Sequence, residues 1–212
     1  MPDSPASERI RPRDRDAIIQ SLRAGVVPRV GQQHIQVGRA NEVRALLSDI
    51  ERISDGGSAI RFAIGEYGAG KSFFLNLIRS IALEQKLVTV HADLSPDRRL
   101  HATGGQARSL YAELMRNLAT RARPDGGAMP SVVERFVTES LNQASARDVN
   151  PEIVIRERLA ELQELTGGYD FAEVIAAYWR AHDTGNEQLK ADVVRWLRGE
   201  FATRTDARAA LG

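Results

Sequence analysis

The stretch that decides the fold is Ala59–Leu77, which reads AIRFAIGEYGAGKSFFLNL. Residues 59–64 form a short, mostly apolar run after the turn-forming residues 55–58, and this pattern predicts a buried strand. The apolar residues after the glycine-rich centre recur at helical spacing: Phe74, Leu77, Ile78 and Ile81. We therefore expect an amphipathic helix from Lys71 onward. A strand, a glycine loop and a helix N-terminus in this order suit a phosphate-binding turn.

Residues 65–72, GEYGAGKS, match the pattern G-x-x-x-x-G-K-[ST] of a P-loop, or Walker A motif. Glycines allow the backbone to turn its N–H groups toward an anion. The helix N-terminus adds a partial positive charge and unpaired amides. In this motif the lysine reaches the β- and γ-phosphates and the serine hydroxyl binds Mg²⁺. The pattern therefore predicts binding of ATP and Mg²⁺.

The candidate site residues follow from the motif. Lys71 is the candidate catalytic cation, and Ser72 is the candidate metal ligand. The predicted nucleotide contacts in the loop are Gly65, Glu66, Tyr67, Gly68, Ala69, Gly70, Lys71, Ser72 and Phe73.

Composition narrows the class of protein. The chain has 212 residues, a net charge of +1 and no cysteine, so neither a disulfide framework nor a thiolate metal site is possible. The near-neutral charge provides no global field for nucleic acid or membrane binding. No apolar run approaches membrane-spanning length and no signal-peptide pattern is present, so a cytoplasmic protein without membrane contact is expected. Lysine occurs only at positions 71, 86 and 190. Because lysine is rare in this chain, its presence at the motif position argues against a chance match.

A second motif lies upstream of the loop. Residues 35–53, IQVGRANEVRALLSDIERI, describe a turn that runs into an amphipathic helix. The turn is similar to the VGR-x-x-E box of AAA+ ATPases, above all in their initiator and STAND-like branches. In those families the segment closes over adenine, so the resemblance implies that Val37, Gly38 and Arg39 form the wall beside the base.

A second strand is expected at residues 87–94, LVTVHADL. Asp93 near its end is a candidate Walker B acid, but Thr89 and His91 interrupt the apolar run, which favours a structural role. No apolar run followed by Asp-Glu occurs from residue 95 to 212, so ATP hydrolysis by this chain is uncertain. The expected fold is α/β: a parallel sheet of the P-loop NTPase, AAA+-like type, incomplete in this chain, with an all-helical insertion. The chain is accordingly expected to be the N-terminal part of a longer ATPase.

Four regions are predicted. Residues 1–34 form a tail and linker, 35–125 a partial nucleotide-binding core, 130–200 a helical insertion, and 201–212 the start of a next element. The helical region has capping signals at Ser131, Asn150-Pro151, Asp170 and Asn186. Another capping box begins at Thr103. Trp179 and Trp196 lie at core spacing on their helices, so they are expected in the core instead of at a partner surface.

Three runs together resemble one family: VPRVGQQHIQVGRANEV, GEYGAGKSFFLNLIRSIA and HADLSPDRRLHATGGQARSLYAELMRNLA. They are similar to the ATP-binding proteins of bacteriophage-exclusion (BREX) defence systems, the BrxC/BrxD-like family. The likeness covers roughly residues 20–200 and is most specific at Glu66, Tyr67 and 95–105. It implies an ATP-dependent switch or motor that works with other defence-system subunits, with DNA as a possible partner of the intact protein.

Two other functions stay open at this point. A small-molecule or nucleotide kinase could use the same loop, with Arg98 and Arg99 as the only hint of a lid. Alternatively, the chain could be a non-hydrolysing interaction module whose helices bind a partner.

Overall fold

The computed structural model describes residues 10–28, 30–101, 104–160 and 168–212. They divide into two compact units, one up to Leu87 (unit 1) and one from Val88 onward (unit 2). The predicted boundaries of the tail, core and insertion stay predictions.

Unit 1 contains three α-helices and one short 3₁₀ turn in its described part. They are α1 (Pro12–Arg23), the turn Gln32–His34, α2 (Ala40–Ser54) and α3 (Lys71–Glu84). Helices α2 and α3 are amphipathic, as their spacing predicted. α3 buries Phe74 and Leu77, and α2 buries Ile50. The phosphate-loop sequence therefore leads directly into a helix whose inner face is apolar.

Unit 2 is built from α4 (Gln106–Arg116), α5 (Met129–Arg147), α6 (Pro151–Arg158), α7 (Gly168–Asp183), α8 (Glu187–Leu197) and α9 (Arg204–Leu211). Its core lies among α5, α6, α7 and α8, where Val137, Ile155 and Val193 are each 0% exposed. Trp179 and Trp196 pack against this core as partly buried side chains, in line with the sequence expectation.

The expected parallel α/β sheet is wrong, because the described part of the chain is helical and contains no sheet. Residues 59–64 are extended, but no other segment of the described chain pairs with them. Ile60, Phe62 and Ile64 are 83%, 85% and 93% exposed, so the predicted burial is wrong as well. A strand is stable only when a neighbour accepts and donates its backbone hydrogen bonds. The alternating apolar residues of 59–64 do not by themselves provide a partner strand.

The second predicted strand, at residues 87–94, is also wrong. Thr89 forms one isolated antiparallel bridge with Ala119, with N–H···O distances of 3.0 and 2.8 Å. Asn117 donates to the carbonyl oxygen of His91 at 3.0 Å. This segment therefore pairs with the residues that follow α4 in its own unit.

The predicted helix starts are correct in part. Asn150 accepts a hydrogen bond from the Glu152 amide at 2.8 Å, and Asn186 accepts one from the Leu189 amide at 3.0 Å, as expected of N-caps. The capping box at Ser131 is wrong, because α5 already begins at Met129. Thr103 and the side chain of Asp170 lie outside the described residues.

No helix in the described part of the chain combines the length and apolar character that a membrane crossing requires.

Candidate phosphate-binding site

The glycine loop lies between the extended segment 59–64 and helix α3, all within unit 1. Gly68 and Gly70 have φ angles of +84° and +77°, a left-handed conformation that a residue with a Cβ rarely adopts. Gly70 is the N-cap of α3, so its conformation sets the direction in which the helix begins. The backbone thus turns immediately before the helix N-terminus.

No acidic side chain of the described residues occupies the N-terminus of α3. Its first turn contains no acidic residue, and no side chain caps it among the described contacts. The first intrahelical hydrogen bond runs from the Phe74 amide to the Gly70 carbonyl oxygen at 3.0 Å. The amides of Lys71, Ser72 and Phe73 precede that bond and have no intrahelical acceptor. Together with the helix dipole, they form a local positive potential that favours an anion.

Lys71 spans the loop. Its Nζ lies 2.8 Å from the carbonyl oxygen of Gly65 and 2.8 Å from that of Glu66. These two hydrogen bonds tie the first residues of the loop to the first turn of α3. An ammonium group has three N–H donors, so one donor is left beyond these two contacts. The Lys71 ammonium therefore contacts the glycine loop of its own motif.

The other loop side chains are exposed. Tyr67 has the accessibility of a fully extended side chain, at 106%, and Glu66 and Ser72 are also exposed. Magnesium in nucleotide sites is held through one or two protein oxygens together with substrate phosphates. The hydroxyl of Ser72, next to Lys71 at the start of α3, fits that requirement. Groups of three or more metal-ligating side chains are absent among the described residues.

Of the three residues predicted beside the base, Arg39 reaches the loop. Its guanidinium donates a hydrogen bond to the carbonyl oxygen of Ala69 and lies 5.3 Å from the centroid of the Phe74 ring. Val37 is 87% exposed, and Gly38 has a φ angle of +80° with open space where a Cβ would project. Arg39 thus brings the start of α2 against the loop and α3.

Sequence reasoning missed an ion pair beside the loop. Asp49 on α2 accepts two hydrogen bonds from Arg61, at 2.5 and 3.0 Å, and its side chain is only 5% exposed. Arg52 lies 3.6 Å from the same carboxylate. The hydrogen bond from Arg61 lowers the pKa of Asp49 and outweighs the opposing effect of burial. The sequence signal that could have pointed to this ion pair is the position of an acidic residue among the apolar residues Leu46, Leu47 and Ile50.

The remaining candidates lie in unit 2. Asp93 is exposed, and Arg98 pairs with Glu113 at 3.3 Å. Arg99 is exposed. Arg98 therefore has a structural partner within its own unit.

A glycine loop that opens a helix, with uncapped N-terminal amides and a lysine at the first helical position, defines a candidate phosphate-binding protein of the Walker A type. The chain belongs to the family described as BREX system ATP-binding protein BrxC/D, whose model matches residues 10–212. The resemblance drawn from the sequence is thereby confirmed. Comparison with curated proteins gives no match, and comparison with solved structures gives none either.

Proposed function

We propose that unit 1 binds the phosphates of ATP at residues 65–73 and that the chain acts as the nucleotide-binding part of a BREX-type phage-defence complex. The observation that supports this most is the N-terminus of α3, where three amides have no intrahelical acceptor, no acid is present in the first turn, and the Lys71 ammonium contacts the loop. Family membership supports ATP as the nucleotide.

In this proposal Lys71 exchanges its contacts with loop carbonyls for phosphate oxygens. Its Nζ contacts two carbonyl oxygens of the loop, which supports a role for this charged donor at the loop. The amides at the helix start orient the same phosphates. Arg39 braces the far side of the loop through Ala69.

Magnesium at this site would supply positive charge that offsets the charge of the phosphates. Ser72 is the side chain of the loop that would hold it. The hydroxyl is exposed and lies on the residue after Lys71, which suits a single protein ligand completed by phosphate and water.

We further propose that nucleotide binding works as a switch or motor in a larger assembly, with other defence-system subunits as partners and DNA as a candidate substrate of the intact system. Family membership supports the defence-system partners. Hydrolysis is not part of the proposal, because it requires a second acid to position magnesium and water.

The test is calorimetric titration of the full chain with ATP and Mg²⁺. Hydrogen bonds to charged groups contribute about 1.5–3 kcal/mol, so Lys71→Ala should raise the Kd for ATP roughly ten- to a hundredfold. Ser72→Ala should weaken binding in Mg²⁺ but leave binding in excess chelator unchanged.

Lys190→Ala is the matched control. This lysine lies in unit 2 and pairs with Glu187 at 2.8 Å, so the same substitution removes a charge far along the chain from the loop. The Kd of Lys190→Ala for ATP should equal that of the wild type. If Lys71→Ala, folded by circular dichroism, binds ATP as tightly as Lys190→Ala, the loop is not the phosphate site.

The kinase and the interaction module remain alternatives, and one further measurement tests each. Incubation with ATP and a pool of metabolites would yield a phosphorylated product if the chain were a kinase. Binding of the same protein partner by wild type and Lys71→Ala, with or without nucleotide, would favour the interaction module.

A further inference from the structure

The ion pair between Asp49 and Arg61 has a location that the nucleotide site does not by itself explain. Arg61 lies in the extended segment that enters the loop, and Asp49 lies on the inner side of α2. The pair is bidentate, with Nε and a terminal nitrogen of Arg61 on the two carboxylate oxygens. A bidentate pair fixes orientation as well as distance.

The same helix also contacts the opposite end of the loop. Arg39 immediately precedes α2 and donates to the carbonyl oxygen of Ala69, the residue before Gly70. Helix α2 therefore holds the chain before the loop through Asp49 and the chain at the end of the loop through Arg39. Residues 65–68 lie between these two attachment points.

Little else holds the segment that enters the loop. Ile60, Phe62 and Ile64 alternate with Arg61 and are 83–93% exposed, so their side chains contribute little packing. Asp49, by contrast, is 5% exposed at its side chain and has Arg52 as a second cationic neighbour. The ion pair is thus the main polar attachment of this segment to α2 among the described contacts.

We propose that α2 clamps the phosphate loop at two points and that Asp49, acting through Arg61, is a positioning residue for nucleotide binding. This inference rests on the proposed function. Loss of the clamp leaves Lys71 and the helix amides intact but lets the loop entrance move, so the backbone of residues 65–68 is no longer held in one conformation for the phosphates. When the groups that contact a ligand are displaced even slightly, their contacts weaken steeply.

The experiment compares Asp49→Asn with Glu157→Gln in the full chain. Glu157 forms an equally bidentate pair with Arg147, at 2.5 and 3.1 Å, in unit 2, so both variants convert a paired carboxylate to an amide. Two readouts are used: the Kd for ATP and the hydrogen exchange of peptides that cover residues 59–70. We expect Asp49→Asn to raise the Kd on the order of tenfold and to speed exchange in that peptide, while Glu157→Gln changes neither.

Arg61→Lys gives a second test that keeps the charge but loses the planar fork. It should fall between wild type and Asp49→Asn in both readouts, and it serves in place of Asp49→Asn if that variant does not fold. The double variant Asp49→Asn with Arg61→Gln should bind ATP no more weakly than the single variant, because one attachment is lost in both.

Three failures are distinguishable. If Lys71→Ala loses ATP binding while Asp49→Asn and Arg61→Lys match the wild type in Kd and exchange, the clamp is refuted and the nucleotide site stands. If Asp49→Asn speeds exchange without changing the Kd, the pair is structural only and the positioning role is refuted. If the wild type binds no ATP, the proposed function fails, and the positioning role fails with it.

Discussion

Replacing Gly70 by alanine tests the backbone geometry on which the phosphate site depends. Gly70 has a φ angle of +77° as the N-cap of α3, and a Cβ there would lie 3.4 Å from a terminal nitrogen of Arg39. The left-handed conformation costs a residue with a Cβ about 1–2 kcal/mol. Alanine therefore either accepts this strain or rotates the backbone away from the orientation that the Lys71 and Ser72 amides require.

The magnitude follows from the same angle. For a folding unit of about 60–100 residues, a loss of 1 kcal/mol lowers Tm by roughly 4–8 °C, so Gly70→Ala should lower the Tm of the unit 1 transition by about 4–16 °C. Gly185→Ala is the matched control, since Gly185 has a φ angle of +66° with nothing within 4 Å of the Cβ position. It lies in unit 2, so Gly185→Ala should lower the Tm of the unit 2 transition through the same backbone strain without affecting the loop.

The assay combines differential scanning calorimetry with ATP titration. Only Gly70→Ala should raise the Kd for ATP, by at least about tenfold, because misoriented amides no longer meet the phosphates. A Gly70→Ala variant that loses stability like Gly185→Ala but binds ATP with wild-type affinity would refute the reasoning, since the phosphate contacts would then be independent of the turn at this position.

Two further predictions concern unit 2. Ile155→Ala should lower the free energy of unfolding by about 2–5 kcal/mol, because Ile155 is 0% exposed in the core. Ile153→Ala on the same helix, where Ile153 is 48% exposed, should stay within about 0.5 kcal/mol of the wild type in urea unfolding; equal losses would contradict the assigned core. Burial and a hydrogen bond to Glu134 raise the pKa of Tyr178. Its contribution to stability is therefore fully present below its unfolded-state pKa of about 10 and is lost as pH rises through the folded-state pKa. Tyr178→Phe should remove this alkaline dependence in urea unfolding between neutral and alkaline pH, and parallel curves for the two proteins would argue against it.

The helices could be predicted from the sequence because their hydrogen bonds are local. Each amide in a helix finds its acceptor four residues away, so apolar spacing and capping residues such as Asn150 and Asn186 suffice to locate many helix starts. The start of α3 at Lys71 was predicted from the spacing of the apolar residues alone, and it is correct. Residues 59–64 could not be predicted in this way, since a strand depends on a partner segment that the local pattern does not specify.

The candidate site was predictable in its motif but not in its supports. The glycine spacing around Lys71 identified the loop, and the VGR turn pointed to Arg39. The bond from Arg39 to Ala69 and the pair between Asp49 and Arg61 join residues far apart in sequence. Such pairs depend on how α2 lies against the extended segment, and no spacing rule encodes that arrangement.

The loop and the largest core belong to different units, which has a consequence for how the protein responds to heat. The glycine loop, Lys71 and Arg39 belong to unit 1, whereas the cluster around Val137 belongs to unit 2. Ligand linkage stabilises only the species that binds, by about 2.7 kcal/mol at a ligand concentration a hundredfold above Kd. Saturating nucleotide should therefore delay melting of the N-terminal unit, while the C-terminal helices provide an internal reference transition in the same thermogram.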